Sequence, residues 1–337
     1  MTAIFSLQNA WPHDYPGQID ASGKGSDGKK DGDGFDDDLS IIAGGVITIG
    51  NFDGVHRGHV RLLEHVRSLA DQLGGPAIAI VLDPHPASIL RPEFAPKRLT
   101  DIQTRAELMD RIGIDALVVC QINRHFLNLS AEAFFASLVQ NRLNAKAMVE
   151  GPNFFFGRDR GGNVDVLAEL CGSANIQLNI VEPMEFGSQM ISSTRIRGLL
   201  AEGAVAEAAE LLGHPHRVSG TVCRGEQRGR DIGFPTANLS DLEVVIPSPG
   251  VYAGNLNIRD ETYIAAVHIG PNPTFDLDGG DFKVEVHALD YDGDLYGQRV
   301  QVDFLHRIRD VVRFESPDAL VKQLHLDIAE IRRIVFS

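Results

Sequence analysis

Cysteine is scarce in this sequence, and no two cysteines have the spacing of a metal or redox motif. Three of the 337 residues are cysteines, and they lie far apart in the sequence: Cys120, Cys171 and Cys223. This spacing argues against a disulfide framework and against a cysteine-ligated zinc site. We therefore expect a protein of a reducing compartment, with a cytoplasmic location.

Long apolar runs and an excess of positive charge are also missing. No run approaches the ~20 residues that span a bilayer, and the N-terminus has no signal-peptide apolar core. The chain has 31 Lys and Arg against 46 Asp and Glu, and its formal net charge of −15 argues against a protein that holds a nucleic-acid backbone. We expect no membrane and no nucleic-acid partner, whereas a small nucleotide needs only a local positive pocket. The oligomeric state stays open.

The apolar content is that of a globular protein with two domains. Hydrophobic residues make up 43% of the chain, and its length is enough for two ordinary cores. Residues 11–40 are the exception, because Gly, Asp, Ser and Lys dominate there. A segment with so few groups to bury is expected to be a disordered acidic insertion.

Strand and helix patterns alternate in the first half of the chain. A short strand is predicted within residues 1–7. Apolar strand-like runs follow at 46–49, 77–82, 116–120 and 147–149, and helical patterns separate them. This alternation predicts an α/β domain with a doubly wound parallel sheet, which we assign to residues 1–213.

A glycine-rich turn at residues 50–59 joins the strand at 46–49 to a helix. A helix start offers free N–H groups and the positive end of a dipole, which suits a phosphate. Gly58 has no side chain, so a ligand can approach the backbone. His56 and His59 are three residues apart and can stabilise charge on phosphoryl oxygens. The alternative is a tight turn with solvated histidines.

The pattern changes near Gly213. Short strand-like runs at 217–222, 251–257, 263–269, 283–289 and 300–305 lie between Gly and Pro turns. They predict a small closed β-barrel in residues 214–337. A final helix is expected to begin with Ser316 as N-cap and Pro317 as its first residue.

The densest motif of the second half lies at residues 225–239. Its glycines, with Arg230, can wrap phosphate groups as a backbone nest; they are Gly225, Gly229 and Gly233. Thr236 and Asn238 supply hard oxygen donors that suit Mg²⁺. The alternative is a Gly/Pro loop with a turn-forming Asn.

Two polar residues alternate with valines farther along, at residues 284–287. One face of the predicted strand carries Glu285 and His287. A barrel interior disfavours such groups unless they have a role. Glu285 is therefore a candidate general base for a hydroxyl nucleophile, and we interpret His287 as structural.

Together these motifs resemble one enzyme family. Gly-Asn-Phe-Asp-Gly-Val-His-x-Gly-His at 50–59, Asp-Pro-His-Pro at 83–86 and Ile-Ser-Ser-Thr-Arg-Ile-Arg at 191–197 resemble the N-terminal half of prokaryotic bifunctional FAD synthetases. Segments 229–239, 250–253, 269–275 and 295–297 are similar to their riboflavin kinase half. The resemblance covers nearly all of the chain outside the acidic insertion.

The resemblance implies two ATP-dependent steps. In the C-terminal half, riboflavin attacks the γ-phosphate of ATP to give FMN, with Glu285 as base and Mg²⁺ at Thr236 and Asn238. In the N-terminal half, FMN attacks the α-phosphate of a second ATP to give FAD and pyrophosphate, with His56 and His59 at the triphosphate. Further nucleotide or phosphate contacts are implied for Gly50, Phe52, Asp53, Gly58, Asn153, Ser193, Thr194 and Arg197, and Asn153 also for FMN.

One segment departs from the family pattern. An Arg-Asp-Glu run near the flavin is replaced here by Arg309, Asp310 and Val311. We still expect Arg309 and Asp310 at the flavin, and the loss of the acid bears on flavin affinity. Three alternatives stay open: a chain with one active half, most plausibly the kinase; a non-catalytic flavin-binding regulator; and a transferase for another acceptor, such as nicotinamide mononucleotide.

Overall fold

The computed structural model describes residues 1–7, 39–225, 228–271 and 282–336, which fall into two compact units. The first unit comprises Met1–Phe52, Gly58–Pro96 and Gln103–Met184, and the second comprises Asp53–Arg57, Lys97–Ile102 and Glu185–Ser337. The predicted insertion at 11–40 lies outside the described residues except for its last two positions. These two open a short 3₁₀ helix, Leu39–Ile42.

The first unit contains the predicted parallel sheet. Its strands are β1 (Ala3–Leu7), β2 (Val46–Gly50), β3 (Ala77–Asp83), β4 (Ala116–Gln121), β5 (Ala147–Glu150) and β6 (Gln177–Ile180). The order is β1-β4-β3-β2-β5-β6, with all neighbours parallel. The strand order therefore reverses direction beside β2. The carboxyl ends of β2 and β5 form the switch point where ligands bind in such sheets.

Helices connect these strands. They are α1 (Arg57–Leu73), α2 (Pro86–Leu90), α3 (Ile102–Asp110), α4 (Arg124–Leu127), α5 (Ala131–Phe134) and α6 (Val164–Ser173). The apolar side of α1 buries Leu63, Val66 and Leu69, as its 3.6-residue period requires. Ser130 caps α5, because its Oγ accepts a hydrogen bond from the Ala133 N–H. Beyond α5 the chain continues as a π-helix, Phe135–Arg142.

The second unit contains the predicted barrel. Strands β9 (His216–Cys223), β10 (Ala237–Ser240), β11 (Gly250–Ile258), β12 (Glu261–Pro271), β13 (Phe282–Ala288) and β14 (Arg299–Arg309) close in the order β10-β13-β12-β11-β14-β9. All neighbours are antiparallel. The barrel prediction is confirmed, but β10, which begins inside the 225–239 motif, is not among the predicted strands. The unit also holds the small hairpin β7 (Glu185–Phe186) and β8 (Gln189–Met190).

Four helices of the described residues belong to the barrel unit: α7 (Ser193–Glu202), α8 (Val205–Leu212), α9 (Arg228–Asp231) and α10 (Pro317–Val335). The start of α10 is as predicted, because Ser316 Oγ accepts a hydrogen bond from the Ala319 N–H and Pro317 is the first helical residue. By packing, α7 and α8 group with the barrel, so the second unit begins earlier than residue 214. The boundary at Gly213 between the two functional domains remains a prediction.

Candidate active site

The switch point of the sheet carries the first part of the glycine-rich turn. β2 ends at Gly50, where a Cβ would lie 3.1 Å from the Phe52 ring. Phe52 is buried, and its ring meets His59 edge-on at 5.3 Å between centroids. Gly58 and His59 lie in the first turn of α1. Gly58 and His59 thus lie at the helix start where the sequence predicts an anion site, and Phe52 packs against His59.

Asp53, in the second unit, binds protein groups on several sides. Its carboxylate accepts hydrogen bonds from the Leu99 N–H at 2.9 and 3.0 Å and from the Thr100 N–H at 3.1 Å. It also forms an ion pair with Arg197, whose Nε donates to the Lys97 carbonyl at 2.7 Å. Ser193 Oγ donates to the Asp53 carbonyl at 2.9 Å. In the structure, Asp53, Ser193 and Arg197 therefore hold each other and a neighbouring loop.

Thr194 and His56 differ in exposure. Thr194 is exposed on the first turn of α7, where its hydroxyl can meet a ligand. His56 is buried, and this burial lowers its pKa to about 4, against the opposing effect of Asp53. At neutral pH the imidazole is uncharged, so it can share a hydrogen bond with a phosphate but offers no positive charge.

An aromatic cavity of about 390 Å³ opens at the carboxyl ends of β2 and β5 in the first unit. Gly50, Asn51 and Asn153 line it beside three consecutive aromatics. Phe154 and Phe156 stack at 5.4 Å, and Arg160 lies 4.1 Å above the Phe155 ring. Asn153 is exposed here. The cavity can take a flat ring system with a polar group at its edge.

The barrel contains a second cavity, of about 470 Å³. Candidate residues from the half that resembles a riboflavin kinase lie together in it. Gly229, Thr236, Glu285 and Arg309 line it among apolar side chains. The apolar part of the lining includes Ile232, Phe234, Val251, Leu320 and Ile328. A mostly apolar cavity with few convergent polar groups is typical of a site for a flat organic ligand.

Glu285 is held from two sides in this cavity. Its Oε2 lies 3.2 Å from His268 Nδ1, and its Oε1 lies 2.8 Å from Lys283 Nζ. The hydrogen bond from His268 and the Lys283 ammonium lower the pKa of the Glu285 carboxyl to about 2, although partial burial opposes them. His287 interacts through Nδ1 with the Pro235 carbonyl at 2.7 Å, in line with a structural role.

Within the 225–239 motif, Arg228–Asp231 form the short helix α9, and strand β10 begins at Ala237. A Cβ at Gly225 would overlap the Asn238 amide, and one at Gly229 would overlap the Phe234 carbonyl. Gly233 has a φ of +85°, a conformation that other residues rarely adopt. These glycines are thus required for close packing and for turning the chain. Residues 226–227, within the expected phosphate nest, lie outside the described residues.

A third cavity, of about 540 Å³, lies beside this motif. Arg230 and Thr236 line it together with Arg224 and Tyr296. The Arg224 guanidinium lies 5.9 Å from the centre of the Tyr296 ring. Two arginines and an aromatic face suit a nucleotide. Thr236 lines this cavity and the 470 Å³ cavity, so it marks the place where a phosphate donor and an acceptor can meet.

The donors expected to hold Mg²⁺ differ in exposure. Thr236 is exposed, whereas Asn238 is buried and its Oδ1 has no hydrogen-bond partner among the described residues. A buried amide oxygen without a partner is costly unless another group satisfies it. The arrangement therefore fits a cation bound by these oxygens and by substrate phosphates.

Arg309 is the last residue of β14, and Asp310 and Val311 follow it. Arg309 lines the 470 Å³ cavity and forms a bidentate ion pair with the buried Asp327 of α10, at 2.7 and 3.0 Å. Val311 lines the same cavity. Asp310 is instead exposed and pairs with Arg307 at 2.8 Å. Arg309 and Val311 are thus placed at the expected ligand cavity, and Asp310 is bound to a neighbouring side chain at the surface.

Sequence reasoning missed three titratable residues of the barrel cavity: His268, Lys283 and Asp327. Lys283 had a usable signal, because it shares a strand face with Glu285. Asp327 had one too, since it interrupts the apolar stripe of α10. Nothing in its own sequence neighbourhood marks His268, which is paired with Glu285 by the register of β12 and β13.

None of the helices within the described ranges has the length and hydropathy needed to cross a bilayer.

Family models match both halves of the chain. The model described as FAD synthetase matches residues 40–195, and that described as riboflavin kinase matches residues 212–335. The bifunctional riboflavin kinase/FMN adenylyltransferase of Pseudomonas fluorescens is 34% identical over 291 residues, which cover 86% of this chain and 93% of the relative. The protein of the same name from Escherichia coli K12 is 35% identical over 285 residues, or 84% and 90%.

This chain is similar to a solved structure over most of the length of both chains. It is described as a macrolide-efflux protein from Streptococcus pneumoniae. The TM-score is 0.79 at 33% sequence identity, and the match covers 88% of this chain and 97% of the other.

Proposed function

This chain belongs to the family of bifunctional riboflavin kinases/FMN adenylyltransferases, and from that premise we propose which of its residues serve each reaction. The enzyme phosphorylates riboflavin to FMN with ATP, and it transfers the adenylyl group of ATP to FMN, giving FAD and pyrophosphate. We assign the kinase to residues 214–337 and the adenylyltransferase to residues 1–213. The ranges matched by the two family models support this division.

For the kinase, riboflavin occupies the 470 Å³ cavity of the barrel. The meeting of Thr236, Glu285 and Arg309 in one mostly apolar cavity carries this assignment. The ribityl 5′-hydroxyl attacks the γ-phosphorus of ATP, whose nucleotide lies in the neighbouring cavity with Arg230. Glu285 drives removal of the hydroxyl proton. Positioning and charge stabilisation account for most of the catalysis in such a transfer.

Mg²⁺ is the metal that we propose for the kinase. Thr236 Oγ1 and Asn238 Oδ1 would hold it together with ATP phosphate oxygens. The buried Asn238 oxygen without a partner supports this role. When bound, Mg²⁺ neutralises charge on the transferring phosphoryl group. Thr236 and Asn238 then fix the position of the ATP phosphates relative to the flavin cavity.

For the adenylyltransferase, the 390 Å³ aromatic cavity takes the flavin ring, with Asn153 at its edge. The FMN phosphate attacks the α-phosphorus of ATP and pyrophosphate leaves, so no covalent enzyme intermediate is needed. Gly58 and His59 at the start of α1 receive triphosphate oxygens. The uncharged imidazole of His56 donates a hydrogen bond to a phosphate. Thr194 contacts phosphate directly, while Asp53, Ser193 and Arg197 keep their loop in place.

We place the enzyme in the cytoplasm. All three cysteines have free thiols, which suits a reducing compartment. The acidic net charge supports small-molecule substrates and argues against a nucleic-acid partner.

One chromatographic experiment tests the scheme. Purified protein is incubated with riboflavin, ATP and Mg²⁺, and riboflavin, FMN and FAD are followed over time. We expect FMN to appear and then decline as FAD rises. Accumulation of FMN without FAD would mean an inactive first half. Bound flavin without any product would support the alternative of a non-catalytic binding protein.

A further inference from the structure

Strands β2 and β5, which are neighbours in the parallel sheet, separate at their carboxyl ends. Their backbone ladder ends with the pair of Ile47 and Met148. On its other side each strand stays paired farther along, β2 with β3 up to Gly50 and β5 with β6 up to Glu150. The separation is therefore local, and it lies between the two strands that lead into the aromatic cavity of the first unit.

One side chain bridges the two separated strand ends. In a continued parallel ladder, the Ile49 N–H would donate a hydrogen bond to a backbone carbonyl of β5. It donates instead to Oε1 of Glu150, at 2.8 Å. Glu150 is 2% exposed, and its backbone carbonyl accepts a hydrogen bond from the Val181 N–H at 2.8 Å. The Glu150 carboxyl thus takes the place of a backbone acceptor, and it ties the end of β2 to the end of β5 inside the protein.

Burial also affects the charge of this carboxyl. It raises the pKa of Glu150 well above its usual value, against the opposing effect of the hydrogen bond from Ile49. The raised pKa favours the uncharged acid, which still accepts a hydrogen bond through one oxygen. An uncharged acceptor suits a site for ATP and FMN, because a carboxylate would repel their phosphate groups. Glutamine has the same length, no charge and the same acceptor oxygen, so it is the closest substitute.

The two strand ends carry residues that line the aromatic cavity. Ile49 and Asn51 line it from the end of β2, and Asn153 and Phe154 line it from the loop that follows β5. Glu150 binds the first of these segments and stands at the start of the second. Its side chain therefore fixes the distance between the two segments without lining the cavity itself.

We propose that Glu150 is a positioning residue for adenylyl transfer, because its side chain holds the ends of β2 and β5 at the separation that the two substrates need. An oxygen of the FMN phosphate must lie in line with the α-phosphorus of ATP, to which it bonds as pyrophosphate leaves. In the proposed scheme, the flavin is held from the β5 side and the triphosphate from the turn after β2. A misplacement of about 1 Å can cost a factor of about 10² in rate. This inference rests on the adenylyltransferase activity proposed for residues 1–213.

The test is Glu150→Leu in the full-length enzyme, with FAD formed from supplied FMN and ATP as the readout. Leucine fills a similar volume but has no acceptor for the Ile49 N–H. We expect kcat/KM for FMN to fall by about 10²-fold, mainly through kcat, because the substrates still bind but are no longer aligned. Glu150→Gln should stay within about threefold of the wild type, since its amide oxygen replaces the acceptor. FMN formation from riboflavin should be unchanged in both variants.

A second buried position separates positioning from stability. Met109 of α3 is fully buried in the first unit and does not line the aromatic cavity. Met109→Ala should lower the Tm by creating a cavity, as Glu150→Leu should by leaving a buried N–H without a partner. Assays of both variants are made well below the lower Tm. We expect Met109→Ala to keep the wild-type kcat and KM, so a loss confined to Glu150→Leu is not a consequence of reduced stability.

The proposal would be overturned by wild-type FAD formation in Glu150→Leu, by an equal loss in Met109→Ala, or by an equal loss in Glu150→Gln. Glu150→Asp covers the case in which the leucine variant does not fold. Its shorter side chain does not reach the Ile49 N–H from the same backbone position, so we expect it to lose FAD formation, and a wild-type rate would reject the proposal. A wild-type enzyme that makes no FAD would instead refute the proposed adenylyltransferase itself.

Discussion

The barrel cavity and the turn at residues 53–56 use their motif residues in opposite ways. In the barrel, Glu285 and Thr236 line a cavity that a ligand can enter. In the turn, Asp53 is buried. Asp53 accepts backbone hydrogen bonds and pairs with Arg197. A residue of a binding motif can thus contribute by building the loop instead of touching the substrate.

The difference has a physical origin. The turn has an unusual backbone shape, because Phe52 and Val55 have φ values of 44° and 38°. Such conformations cost free energy and persist only when the surroundings enforce them. The Asp53 contacts to Leu99 and Thr100 supply that support. In the barrel, β12 and β13 pair in a continuous register, and the alternate side chains of Lys283, Glu285 and His287 line the cavity.

The largest effect is expected at Glu285. Glu285→Gln should lower FMN formation from riboflavin by about 10²–10⁴-fold, because the charge that supports proton removal is lost. Conversion of supplied FMN to FAD should stay unchanged. Separate assays of the two steps give the measurement, and Glu243→Gln, at an exposed carboxylate of the same unit, is the control. Loss of both steps in a folded variant would contradict the division of the reactions.

His59 tests the other half. His59→Ala should lower FAD formation from FMN by about 10²–10³-fold, the range for removing one donor to a developing charge. FMN formation should be unaffected, since His59 lies outside the barrel unit. His65→Ala, on the exposed side of the same helix, is the matched control. Equal loss in both variants would point to damage of α1 and would reject a role at the triphosphate.

Asp327 probes stability in the barrel unit. Asp327→Ala removes a buried carboxylate and leaves Arg309 without its partner, so we expect the free energy of unfolding to fall by about 3 kcal/mol. Urea denaturation measures the change. Glu330→Ala breaks an exposed pair with Arg333 on the same helix and should have little effect. If both variants were equally stable, the Asp327 pair would be as weak as a surface pair.

The two units should respond to pH in opposite directions. Burial lowers the pKa of His56 and His216 to about 4, so the unfolded barrel unit binds protons that the folded one does not as the pH falls from 7 to 5. Each histidine then costs about 2 kcal/mol of stability at pH 5. Burial raises the pKa of Glu150 well above its usual value, so the first unit loses stability as the pH rises above about 4.5.

Hydrogen exchange measured by mass spectrometry, corrected for intrinsic rates, resolves the two units. We expect protection of the barrel unit to fall at pH 5 and that of the first unit to fall at pH 8. Glu150→Gln keeps an acceptor for the Ile49 N–H, which now donates to Glu150 Oε1 at 2.8 Å, and should abolish the change in the first unit. Parallel responses in both units would refute the assignment.

Local patterns in the sequence were sufficient for most of the architecture. The apolar runs of β2 to β5 and the helical periods between them predict a parallel sheet, because each pattern reflects burial on one or two faces. The same holds for five barrel strands and for the cap of α10. The strand β10 escaped because Ala237–Ser240 has only four residues and follows directly on a motif rich in Gly and Pro. Pairing with β9 and β13 makes it a strand.

The sequence by itself determined the two domain types, the order of their motifs and the candidates Glu285, His59 and Thr236, because these features depend on residue type and short-range spacing. Only the tertiary structure decided which candidates face a cavity and which are bound to the protein. His268 meets Glu285 through strand register, and Asp53 meets Arg197 across 144 positions of sequence. Such contacts depend on how distant segments pack, and short-range periodicity carries no information about them.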